Sequence, residues 1–275
     1  ITTTLIGSTE IERWVTDQPT TGIGEMPQNL TISYFHQYIA TFDWTTSDGS
    51  RSSIPELNIT QFGRGQEVAL TDSSSAIWVD SGSRWALSKQ LNSTDPQERW
   101  YADQGTDGSI TERFRGVFTY LHQFFVSVSA DPDRGGTVSP ASGWYGSGSL
   151  IQLSSSANSG WQFEGWNGHG LTSYTGPRNS VNLNVNAPLT ETAMFFPGVA
   201  VSTGSGGSVS YSYDAKSGVV NESSKSTKYV PAGTKVSFSG NPSSPLTPLR
   251  AWHGDVTGTS SSISVMVDSP LRVNA

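Results

Sequence analysis

The stretch AIWVDSGSRWAL, residues 76–87, places an acid at a turn: two apolar residues, then Asp80, Ser81, Gly82 and a further hydroxyl residue. A carboxylate held this way could act as general acid or base in hydrolysis. That chemistry needs a second carboxylate facing the first, because one shared proton separates the two roles. The other Asp-Gly and Gly-Asp pairs, at Asp48, Asp107 and Asp255, do not repeat the pattern. A single copy would work only in a symmetric dimer. Two sister stretches, WYGSGS at 144–149 and YVPAGT at 229–234, set Gly-Ser-Gly and Pro-Ala-Gly where Asp80 begins its turn. All three read as hairpin turns built from residues that turns favour. Catalysis through Asp80 remains a remote alternative, and the expectation is that the chain is not an enzyme.

Other chemistry finds little support. The histidines His36, His122, His169 and His253 are not spaced for a metal, and there is no cysteine to help them. His36 and His122 recur in HQ dipeptides among aromatics and read as packed strand residues. ADPDRGG at 130–136 offers two carboxylates where a calcium site wants six to eight oxygens, so it reads as a charged turn. No serine sits in a strand-turn-helix elbow, and the Gly-Ser runs lack a phosphate-binding lysine. No cofactor and no metal are expected. Four N-x-[ST] sequons, at Asn29, Asn58, Asn92 and Asn221, could carry covalent glycans on a surface protein.

The net charge is −7, with no basic stripe, so nucleic acid is not an expected partner. No apolar run approaches the roughly 18 residues of a membrane helix. The chain begins at Ile1 without Met or leader, as after removal of a targeting segment or in a trimmed chain. Short alternating runs of Val, Thr, Ser and aromatics, cut by Gly and Pro, predict an all-β protein without long helices.

Repeats organise those strands. Counted from Gly82, Gly148 and Gly233 of the three turns, a tryptophan follows 18, 18 and 19 residues later, at Trp100, Trp166 and Trp252. A tryptophan repeated by module reads as a core anchor. YFHQYIATF at 34–42 and YLHQFFVSV at 120–128 read as strands that end one module and open the next. The expected organisation is tandem small β-sandwich (immunoglobulin-like) modules at 34–120, 121–196 and 197–275, joined by short linkers as a semi-rigid rod.

ERWVTDQ at 12–18 repeats ERWYADQ at 98–104, so Trp14 is the anchor of a further, half module over 1–33. Its first residues, ITTTLI, have high β-propensity and no charge. An unpaired strand presents open N–H and C=O groups. It either folds back onto its own chain or adds to another molecule's sheet. As a donor strand it would present Ile1, Thr3, Leu5 and Ile6, and repeated head to tail it would give an open filament, the chain being its own partner. At the other end, PLRVNA stops at the counterpart of Ala193, before the matches of Met194 and Phe195.

WYGSGSLIQLSSSANSGWQFEGWNG at 144–168 resembles the divergent InlB-type B-repeat of prokaryotic surface proteins. The 197–275 module is similar at YVPAGTKVSF and AWHG, and the 34–120 module looks like repeats of archaeal cell-surface and S-layer proteins. The resemblance implies an extracellular β-repeat architecture, used in stalks, spacers and adhesins, and brings no catalytic residues. The expectation is a structural subunit of an extracellular filament, pilus-like thread or surface layer, assembled by strand donation. The alternative is an adhesin or stalk segment that binds glycan or protein.

Overall fold

The computed structural model describes residues 2–19, 21, 31–50, 53–71, 73–246 and 248–275. Ile1 and the sequon Asn29 lie outside the described residues. The chain is all-β, and the one helical turn among the described residues is the 3₁₀ segment Asp133–Gly135. Packing groups residues 1–124 and 144–147 into one compact unit, and 125–143 and 148–275 into a second. The 121–196 and 197–275 repeats therefore fall largely in the second unit, and the N-terminal repeat packs with its neighbour in the first.

In the first unit the strands show the alternation that the sequence carries. Leu57 and Ile59 point inward and Glu56 and Asn58 outward; Trp85 and Leu87 point inward and Arg84 and Ala86 outward. This period of two makes one face of a sheet apolar. The four-stranded sheet runs Arg64–Ala69, Glu56–Gln61, Arg84–Leu87, Asp107–Ser109. Its apolar face packs against Phe42, Trp100, Phe118 and Tyr120 of a second sheet, giving a sandwich. In that second sheet Phe35–Thr46 runs parallel to the strand beginning at Phe114, with Ala40 opposite Phe114 and Thr46 opposite Tyr120. Glu12–Val15 and Glu98–Ala102 add antiparallel neighbours.

The hairpin Gln61–Arg64 turns through Phe62 at φ 55° and Gly63 at φ 70°. Two left-handed residues give the tight turn that suits strand twist, at a cost for a residue such as Phe. Asp80 offsets that cost: its carboxylate accepts the N–H of Phe62 at 3.1 Å and of Gly63 at 2.7 Å.

The second unit repeats one plan twice. Gly136–Ser139, Ser149–Ala157 and Ser180–Val185 form one sheet. Facing it, Leu189–Ser202 runs parallel to residues 126–131 and antiparallel to Trp161–His169. In the second copy Gly207–Tyr213, Thr234–Pro242 and Ser262–Val267 take the first sheet's place. Leu271–Asn274 then runs parallel to residues 199–202 of Leu189–Ser202. Leu189–Ser202 thus pairs with Trp161–His169 of the first copy and, further along, with Leu271–Asn274 of the second. Trp166 and Trp252 each reach 1 % exposure at the core of their copy.

Candidate functional site

The repeated ERW and HQ motifs meet across strands. Glu98–Ala102 pairs antiparallel with its partner so that Trp100 stands opposite His122 and Arg99 opposite Gln123. Glu12–Val15 reproduces this with Trp14 opposite His36 and Arg13 opposite Gln37. In both places tryptophan and histidine stack, with centroids 4.4 Å apart for Trp100–His122 and 4.3 Å for Trp14–His36. In both, the glutamate accepts from histidine Nε2 at 2.8 Å: Glu98 from His122, Glu12 from His36. In both, the arginine donates to the glutamine Oε1 and lies 4.2 Å over an indole, Arg99 on Trp144 and Arg13 on Trp78. Such stacking of cation on indole adds to the hydrogen bond. Gln37 passes the first cluster on to the turn, donating to Asp80 Oδ1 at 2.8 Å.

The second cluster carries two further side chains. The turn after Phe35–Thr46 carries Asp48 and Ser50 to His122. Asp48 Oδ2 is 2.6 Å from His122 Nδ1, and Trp100 Nε1 donates to Ser50 Oγ at 2.8 Å. His122 is therefore held between two carboxylates. Burial tends to raise the Asp48 pKa, but the hydrogen bonds from Ser50 and His122 outweigh it and bring the carboxyl down to about 2. A carboxyl depressed in the fold adds stability above its unfolded value, about 3.9, and loses it as pH falls toward 2. Asp48→Asn should therefore cost about 1 kcal/mol at pH 7, a figure reduced for a side chain one-third exposed, and nothing near pH 2. Acid unfolding followed by tryptophan fluorescence checks this: equal losses at both pH values would contradict it.

These clusters bind strands together, and in the second of them Ser50 Oγ lies 3.3 Å from His122 Nδ1 and also donates to Asp48 Oδ1. Among the described residues no group of three His, Asp or Glu side chains is placed to hold a metal. The Asp80 carboxylate is taken up by the Phe62, Gly63 and Gln37 donors, and Ser83 Oγ donates to its carbonyl at 2.7 Å, so it serves the turns on either side.

The remaining predicted positions fall as follows. Asn58, Asn92 and Asn221 are all exposed. Trp100 is 3 % exposed and Trp14 is only half-buried. Thr3 and Leu5 lie on the outer edge of Glu12–Val15: Thr16 N donates to Thr3 O at 3.1 Å and Leu5 N to Trp14 O at 3.0 Å. One isolated bridge, Thr4 to Val15, joins the two segments. Leu5 thus stands against Trp14 as Leu91 stands against Trp100. Leu91 is 2 % exposed beneath the facing sheet, whereas Leu5 is 38 % exposed and Ile6 wholly so. Sequence reasoning missed Glu12, Glu98 and Asp48. A signal was there: Trp14 to His36 and Trp100 to His122 both span 22 residues.

Residues 126–198, about a quarter of the chain, match the family model of the divergent InlB B-repeat domain. The resemblance carried by Trp144–Gly168 thus holds for the repeat that contains it. No curated protein sequence matches the chain. Among solved structures, similarity is found to the Bacillus anthracis TIE protein, at 6 % identity and TM-score 0.24, covering 89 % of this chain and 51 % of that one. The pilus adhesin SpaC from Lactobacillus rhamnosus GG gives 9 % identity and TM-score 0.26, covering 89 % and 44 %. BcpA, the major pilin subunit of Bacillus cereus, gives 7 % identity and TM-score 0.26, covering 87 % and 98 %. The chain spans about half the length of the first two. TM-scores this low carry no argument.

Proposed function

We propose that this chain is a structural subunit of the cell exterior, assembling into a filament or surface layer by donating its N-terminal strand to a neighbour. The match of residues 126–198 to a B-repeat supports the cell-surface setting. The observation that carries strand donation is the state of residues 2–6. The segment is uncharged and rich in β-branched residues, and it lies at the edge of a sheet, held by one isolated bridge, the backbone hydrogen bonds of Thr3 and Leu5 and that of Tyr34 Oη to Thr2 O. Edge strands of this kind add readily to other sheets. Glycans on Asn58, Asn92 and Asn221 would coat the exterior, where these side chains already point to solvent.

Electron microscopy of the full chain beside a chain lacking residues 1–8 tests this. Regular filaments or sheets that vanish on deletion are the expected result. Monodisperse particles in both samples would overturn it and make the chain a stalk or adhesin segment.

A further inference from the structure

Three neighbouring strand pairs run parallel: residues 40–46 with 114–120, 126–131 with 189–194, and 199–202 with 271–274. Parallel pairing is slightly weaker per residue than antiparallel pairing, and no hairpin can close it. Here the whole intervening chain folds between the two partners, residues 47–113 in the first case and 132–188 in the second. Each time, the chain enters a fold along one strand and leaves it along that strand's own neighbour.

This placement decides how the fold answers a pull along the chain. Tension drags the entering strand toward its N-terminal end and the leaving strand toward its C-terminal end. In an antiparallel pair those two ends lie side by side. The ladder would then open one hydrogen bond at a time, each weak on its own. In a parallel pair they lie at opposite ends of the ladder. The strands are loaded in shear, and the bonds of the ladder must give together.

The first two pairs are braced as well as bonded. In the first, Phe42 and Phe118 are buried and stack with centroids 6.2 Å apart. Past the end of that ladder the turn after Thr46 prolongs the link. Ser47 N donates to Tyr120 O at 2.9 Å, His122 N donates to Ser47 Oγ at 3.1 Å, and Asp48 Oδ2 lies 2.6 Å from His122 Nδ1. In the second pair Val126, Val128, Leu189 and Ala193 are buried on the core side. On the outer side the hydroxyls of Ser129 and Thr192, which stand opposite each other, meet at 3.3 Å. The buried faces keep water from replacing a ladder bond as it lengthens.

We infer that this chain bears tension along its length, and that the parallel pairs are the elements that resist it. The inference stands on strand register and is independent of strand donation, since a stalk is pulled along its chain as a filament subunit is.

Unfolding in optical tweezers tests it by changing only the direction of pull. The chain has no cysteine, so handles can be attached at chosen positions. Ser127→Cys with Ser205→Cys pulls residues 126–131 and 189–194 past one another. Asp131→Cys with Glu164→Cys pulls across the same strands, because Asp131 stands opposite Met194 and Met194 opposite Gly165. Asp131, Glu164 and Ser205 are exposed and Ser127 is half-buried, so both chains should keep the circular dichroism and melting temperature of the wild type. Forced unfolding reads the unfolding rate, not the equilibrium. The first chain should therefore rupture at a force several-fold above the second despite equal melting temperatures. Ser33→Cys with Leu121→Cys, both at exposed positions, loads the 40–46 pair in shear within the first unit and should resist as the first chain does. Equal rupture forces along and across the strands, or a higher force across them, would overturn the inference.

Discussion

Trp166→Ala should cost the second unit about 3–5 kcal/mol, because it removes the largest fully buried side chain of its repeat. The indole does three jobs at once. Its ring packs 6.0 Å from Phe163, its Nε1 donates to Asn179 O at 3.3 Å, and its backbone exchanges hydrogen bonds with Gly176 at 2.9 and 3.1 Å. Alanine keeps the backbone pair but leaves a cavity and an unpaired carbonyl. The lost stability is a large fraction of what a domain of this size possesses. Trp14→Ala is the internal control. Trp14 occupies the corresponding place in the N-terminal repeat but is only half-buried, and among the described residues it lies outside the core cluster that holds Trp100. Its loss should cost about 1 kcal/mol, mainly the stack on His36. Urea unfolding of both variants checks the contrast. Equal costs would mean that the repeated tryptophans do not owe their contribution to burial.

Much of the architecture was legible because it is repeated. The constant distance from Gly82, Gly148 and Gly233 to Trp100, Trp166 and Trp252 reports a fixed strand-turn-strand path, and the period of two reports the buried faces. The cross-strand chemistry was not read in the same way. Pairing of Glu98 with His122 depends on antiparallel register between segments 24 residues apart, and Asp48 reaches His122 from 74 residues away. Periodicity within a segment carries no information about either. The turn assigned to Asp80 was read from its sister stretches, but its use as a cap for Phe62 and Gly63 could not be, because the corresponding hairpin of the last repeat, through Asp214 and Ala215, has Pro231 in the place of Asp80 and so no carboxylate there. The fold-back position of residues 2–5 is likewise a choice between partners, and a sequence with high β-propensity leaves that choice open.

Glu191 is the clearest case of a group that alignment of the repeats could have flagged. Counting from Pro188 and Pro270, its counterpart is Val273, and both side chains are 0 % exposed. By strand register the first unit sets Tyr120 there, whose hydroxyl donates to Ser88 O at 2.6 Å. A core position that accepts valine or a satisfied tyrosine holds, in this repeat, a carboxyl. One of its oxygens accepts Tyr174 N at 2.7 Å, and the other has no partner. Burial raises the Glu191 pKa, and the hydrogen bond from Tyr174 offsets this only in part. A carboxyl with a raised pKa binds its proton more tightly in the fold than in the unfolded chain. Its contribution is complete below the unfolded value, about 4.3, and is lost as pH rises through the folded one. The sign is opposite to that of Asp48, whose contribution disappears toward acid. The second unit should therefore melt lower at pH 9 than at pH 5. Glu191→Gln keeps an oxygen for Tyr174 and cannot ionise, so it should remove that slope and add on the order of 2 kcal/mol at pH 9. Differential scanning calorimetry across that range gives the answer. A slope that survives in Glu191→Gln would place the alkaline sensitivity in some other group.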